Sequence, residues 1–167
     1  MTSMRVFAAA AAIVFGFQSL PAMAQQALSA DDVAKIKADV IDGLQRYAKA
    51  FSDRDVKSLV ENVYANPSAT FGPKGAALVP SEKTKSNYES IFADIAKTGY
   101  DHTAVKAPAV CVLTATSAIV SADFQRVKKD GTIFSEFPAS FLYGKTPEGW
   151  KVVASLGLQK NKRITCE

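Results

Sequence analysis

The hydrophobic period of this chain changes once, at Tyr100, and that change limits the folds open to it. Upstream, apolar side chains recur every three or four residues; from Tyr100 onward they alternate, in long segments rich in β-branched and aromatic residues. Four strands are predicted, from about Asp101 to Leu113, Ser117 to Lys128, Thr132 to Gly144 and Trp150 to Leu158, with turn chemistry at Lys129-Asp130-Gly131 and Pro147-Glu148-Gly149. This is an antiparallel meander. Helices placed ahead of such a sheet define the α+β class, in which the sheet buries one face against them.

Ser29 with Asp32 three residues later reads as a capping box, and Asp31 and Asp32 favour the positive end of a helix dipole. Val33, Ile36, Val40, Leu44, Tyr47 and Phe51 then form one buried stripe, leaving Lys35, Asp39, Asp42 and Arg46 for water. Gly43 within that helix costs about 1 kcal/mol relative to Ala, which marks a close packing contact. Asp53-Arg54-Asp55 interrupts the pattern through caps and solvent, and a short second helix runs from about Val56 to Val63 before Asn66-Pro67. Ala69 to Phe71 and Ala76 to Val79 read as short strands around Gly72-Pro73-Lys74-Gly75. Pro80-Ser81 caps a third helix with Tyr88, Ile91, Phe92 and Ile95 on its buried stripe, and Gly99 stops it.

Residues 1–24 read as an export signal: Arg5, an apolar run from Val6 to Phe17, and a small-x-small cleavage site at Pro21-Ala22-Met23-Ala24. The run is shorter than the roughly 20 residues needed to span a bilayer. Residues 25–167 then form a single domain, periplasmic or secreted, with no membrane anchor after processing. Apolar residues make up 48% of the chain and charged residues 22%, a globular composition. The net charge of +4, one unit of it on Arg5, is scattered along the chain. Such a charge is not a nucleic-acid footprint.

Cys111 and Cys166 are the two cysteines, and an even count in an exported chain favours one disulfide. The alternative is a buried Cys111 thiol in a strand and a free Cys166 in a loose tail. A bridge would pin the tail to the sheet and stabilise the fold by roughly 4 kcal/mol on chain entropy alone.

Several features together resemble one family. They are a long first helix ending in Tyr47 and Phe51, the Asp53-Arg54-Asp55 break, the Tyr64…Asn66-Pro67 exit, and a closing sheet with Phe141-Leu142-Tyr143 and Gly149-Trp150-Lys151-Val152-Val153. Their order is similar to the nuclear-transport-factor-2-like (NTF2-like) superfamily, near the SnoaL-like polyketide cyclases and ketosteroid-isomerase-like proteins. The resemblance covers nearly all of the chain after residue 24. It implies a cone-shaped α+β fold, three N-terminal helices packed on a strongly curved, mainly antiparallel sheet, with a pocket at the open end. It also implies a homodimer through the sheet, as many members form. In ketosteroid-isomerase-like relatives a tyrosine on the first helix donates to a developing oxyanion while strand carboxylates act as base and partner; Tyr47 lies on the matching helix.

The candidate ligand-binding residues are Tyr47, Phe51, Tyr64, Phe92, Phe124, Arg126 and Phe141. The six aromatics fall on predicted buried faces, where they either line a cavity or simply fill the core. A ligand there would be small and mainly apolar, with one polar handle on the Tyr47 or Tyr64 hydroxyl. Arg126 shares the apolar face of its strand near the end and either reaches an anionic group or snorkels at the rim.

No catalytic residue is assigned. Alternation sends Asp101 and His102 to opposite faces and turns Asp123 away from the core. No spacing resembles a metal-ligand set, and no nucleophile elbow, phosphate-cradling loop or cofactor motif is present. Lys160, Lys162 and Arg163 read as a solvated basic tail. Three functions remain open: a small-molecule binder, a lyase or isomerase of the SnoaL or ketosteroid-isomerase type, and a non-catalytic dimeric interaction module.

Overall fold

The computed structural model of the protein describes residues 27–73 and 75–166. The predicted leader, 1–24, and Lys74 of the predicted turn lie outside them. Helix α1, Ala30–Ser52, opens on Ser29, whose hydroxyl accepts from the Asp32 amide at 3.1 Å and donates to the Asp32 carboxylate at 2.6 Å. Its stripe of Ile36, Val40, Leu44, Tyr47 and Phe51 is buried as the spacing predicts. Asp55 then caps a three-residue helix α2, Val56–Ser58, by accepting from the Ser58 amide. A single π-helical turn, Leu59–Val63, continues it and buries Leu59 and Val63.

The chain enters strand β1, Tyr64–Gly72, five residues earlier than the sequence pattern indicates. It pairs antiparallel with β2, Gly75–Val79. Helix α3, Ser81–Ile95, follows. Its first amide is capped from a distance: Asn66 Oδ1 accepts from the Ser81 N–H at 3.1 Å, while Pro80 supplies no side-chain cap. Gly99 adopts φ 78° and ends the helical segment as predicted. The third helix thus lies between strands, and the helices do not all precede the sheet.

Strands β3, Tyr100–Thr114, β4, Ser117–Lys128, β5, Ile133–Thr146, and β6, Gly149–Gly157, form the expected meander. The six-stranded sheet has the order β2-β1-β6-β5-β4-β3. Its one parallel pairing, β1 on β6, joins the last strand of the meander to the early hairpin and leaves β3 at the other edge. Bulges interrupt β3 between Tyr100 and His102 and between Lys106 and Ala109, and such bulges bend a strand and raise its twist. At one sheet edge β2 leaves Gly75 to Leu78 exposed, with Leu78 75% accessible. Cys111 and Cys166 form the disulfide, so the alternative of two free thiols is discarded. No helix among the described residues is long and apolar enough to cross a membrane.

Candidate functional site

One face of the sheet packs on α1 and α3, and the aromatic candidates meet there. Tyr47 of α1 contacts Phe51, Tyr64, Phe124 and Phe141, with ring centroids 5.0 to 6.4 Å apart. Phe51 in turn meets Phe92 edge-on at 5.1 Å. Tilted and edge-to-face contacts of this kind are favoured by the ring quadrupole. Arg126 joins the group from β4, its guanidinium 5.1 Å from the Phe51 centroid and 5.3 Å from that of Phe137. All seven predicted residues therefore share one cluster.

The cluster carries a set of donors. The hydroxyls of Tyr64 and Tyr88 hydrogen bond at 2.7 Å, across the gap between β1 and α3. The Tyr47 ring stands edge-on to that of Tyr64, with centroids 6.4 Å apart, and its phenol is buried. Burial raises its pKa first, the nearby Tyr64 hydroxyl adds to this, and the Arg126 charge and Tyr88 oppose it. Tyr64 and Tyr88 are raised by burial as well. The three phenols therefore stay protonated. Arg126 Nε is buried without a hydrogen-bond partner, and no carboxylate pairs with its guanidinium among the described residues.

Beside the Tyr64–Tyr88 pair lies a cavity of about 140 Å³, walled by Tyr64, Ser68, Val79, Thr84, Tyr88 and Ile91. The other aromatic candidates line none of the described clefts; they pack on one another. A larger cleft of about 510 Å³ runs between α1 and the β5–β6 turn, but its charges are already engaged, Arg46 with Asp42 and Lys151 with Glu148 and the Glu61 carbonyl. In the sequence Tyr88 stands out only as part of a helix stripe. Its hydroxyl on a buried face was the available signal, since a buried phenol finds a partner.

Three sequence expectations need correction or refinement. Asp101 and His102 do not point apart: His102 Nδ1 and Asp101 Oδ2 lie 2.9 Å from each other, because the bulge between Tyr100 and His102 breaks the alternation. Both side chains are half exposed, remote from the tyrosines in burial and in contacts. Arg163 is exposed, as expected of the basic tail, but not loose: it pairs with Asp123 on the sheet's other face. Arg54 is more than a helix junction, since it donates to the Tyr100 carbonyl at 3.1 Å and lies over the Tyr100 ring. Asp123 does turn away from the core, as alternation requires. No group of metal-ligating side chains is assembled among the described residues.

The Tyr64–Tyr88 pair can offer a hydrogen bond to an acceptor in the cleft beside it. Among the described residues no carboxylate hydrogen bonds to these tyrosine hydroxyls.

Comparison with known proteins gives a consistent picture of the fold. A family profile described as "NTF2-like protein (DUF6841)" matches residues 37–159. No curated protein matches the sequence. An NTF2-like protein with a cystatin-like fold from Novosphingobium aromaticivorans superposes with a TM-score of 0.64 at 13% identity, over 78% of this chain and 86% of its own. An NTF2-like superfamily protein from Salmonella enterica serovar Typhimurium gives 0.56 at 19% identity, over 78% and 96%. A ketosteroid isomerase-like protein from Erwinia carotovora atroseptica gives 0.53 at 20% identity, over 71% and 92%. At these identities the likeness is one of fold.

Proposed function

The chain belongs to the family of NTF2-like proteins (DUF6841), and from that premise we propose that it binds a small, mainly apolar molecule at the mouth of a cone formed by its bent sheet and helices. The observation that carries this reading is the Tyr64–Tyr88 hydroxyl pair, joined at 2.7 Å on the wall of the cleft beside it, with the Tyr47 ring and Arg126 packed behind. One hydroxyl proton is used within the pair and the other is free to donate, so the ligand's polar handle is an acceptor, the oxygen of a ketone, a phenol or a carboxylate. The cavity of about 140 Å³ sets the size. It is close to the cavity of roughly 150 Å³ that accepts a benzene ring. The ligand is then a single ring or a short chain, with its apolar body against Ile91 and Val79.

The bridged cysteines support an exported protein working in an oxidising compartment, as the leader at 1–24 indicates. An isomerase or lyase reading would use Tyr47 or Tyr64 as the oxyanion donor, but it needs a base that the tyrosine cluster does not supply from its own neighbours. The mutual packing of Tyr47, Phe124 and Phe141 favours a second reading, an interaction module with a filled core that pairs through its sheet.

Calorimetric titration with single-ring ketones, phenols and carboxylates tests the first reading. At least one class should bind, and Tyr64→Phe or Tyr88→Phe should weaken it about 5- to 30-fold, the loss of one hydrogen bond in a dry site. Failure of every class to bind, with native mass spectrometry showing a ligand-free dimer, would leave the second reading in its place.

A further inference from the structure

Beyond Gly157 the chain does not leave the molecule. It turns at Gln159, whose carbonyl accepts from the Lys162 amide at 3.0 Å, and runs back over the sheet face opposite the helices. There Arg163 pairs with Asp123 of β4 and donates to the Ala107 carbonyl at 3.2 Å, in the bulge of β3. The Ile164 amide donates to Ser121 Oγ at 3.3 Å, and the same oxygen accepts from Ser140 Oγ at 2.8 Å. Ser121 and Ser140 are fully buried on this face. Cys166, bonded to Cys111 of β3, closes the run.

The noncovalent contacts are of a weak kind. The Arg163 side chain is 34% exposed, and solvent-accessible ion pairs and single hydrogen bonds hold little net free energy. They must order the whole segment from 159 to 166 against the freedom of a loose chain end. The covalent link is what tips that balance. It is also the accessible part, since Cys166 is exposed while Cys111 is buried in the strand.

We propose that residues 159–166 are a redox-released strap. Bridged, it covers Ser121 and Ser140 and, through Lys160, Asn161 and Arg163, walls a cleft of about 590 Å³ against Asp123, Glu136 and Pro138. Reduced, it leaves the sheet, uncovers that face and removes the cleft. The reductant is a dithiol. Its thiolate attacks the exposed Cys166 Sγ, forming a mixed disulfide and expelling the Cys111 thiolate; its second thiol then displaces Cys166. Two electrons and two protons pass to the protein, leaving two cysteine thiols and a cyclic disulfide of the reductant.

Hydrogen–deuterium exchange of the full chain, before and after dithiothreitol, reads the strap directly. Peptides spanning 159–166 should exchange about tenfold faster or more once reduced, as a local opening predicts, while those from α1 and β6 keep their protection. Cys166→Ser should match the reduced protein, and Arg163→Gln with the bridge intact should match the oxidised one. A tail that stays protected after reduction would overturn the proposal. So would a tail already unprotected when bridged, release by Arg163→Gln alone, or a uniform rise across all peptides, which would make the bridge a staple of the whole domain.

Discussion

At Gly43 the first helix passes so close to β5 that a β-carbon would come within 2.8 Å of the Tyr143 ring. That ring is fully buried and has no room to retreat. Gly43→Ala should therefore destabilise the fold by about 1–2 kcal/mol despite the better helix propensity of alanine, as a shift of the urea midpoint would show. The Tyr64–Tyr88 pair gives a second prediction at this scale. Tyr88→Phe takes away the Tyr64 hydroxyl's partner across the β1–α3 gap, at a cost of about 1 kcal/mol, and the Tyr64→Phe, Tyr88→Phe double mutant should recover part of it. Periodicity already placed Tyr47, Phe51, Tyr64, Phe92, Phe124, Arg126 and Phe141 on buried faces. It could not say that they touch, because contact between strands and helices depends on register, and nothing local encodes that.

At the scale of elements, capping is testable in two places. Ser29→Ala should cost roughly 1 kcal/mol at the start of α1. Asn66→Ala should cost a similar amount, with exchange rising at the first turn of α3, about 15 residues away in sequence. The first cap was visible as a local motif; the second was not, since its donor and acceptor are brought together only by the β1–β2 hairpin. The four long strands are legible to within two residues at every end, because alternation over a dozen residues is a strong signal. Strand β1 was read short. Asn66 and Pro67 look like turn residues, and the strand's parallel pairing with β6 joins segments some eighty residues apart with no turn between them. The bulge that turns His102 toward Asp101 was equally hidden, as one extra residue in a strand leaves the composition unchanged.

At the scale of the molecule, four tyrosines, Tyr47, Tyr64, Tyr88 and Tyr143, have pKa values raised chiefly by burial. Their folded values lie above the unfolded value of about 10, so this contribution to stability is intact below that pH and is lost as pH rises past it. Each such tyrosine steepens the loss by about 1.4 kcal/mol per pH unit. Tyrosinate absorbance should therefore appear together with unfolding in alkaline titration, and a full signal from an intact fold would contradict the burial. Loss of the Cys111–Cys166 bridge should lower global stability by well under the roughly 4 kcal/mol of the chain-entropy limit, because only residues 159–166 are set free, as denaturant unfolding with and without a reductant would show.

The two rims of the sheet differ in kind. Along β2, Gly75 to Val79 present an uncharged, accessible margin, whereas the outer margin of β3 is broken by a bulge, by Lys106 and by Pro108. Were two copies to meet rim to rim, the first of these margins is the one open to pairing. Such a meeting uses up both available margins at once, so it ends at a pair and cannot propagate into a fibre.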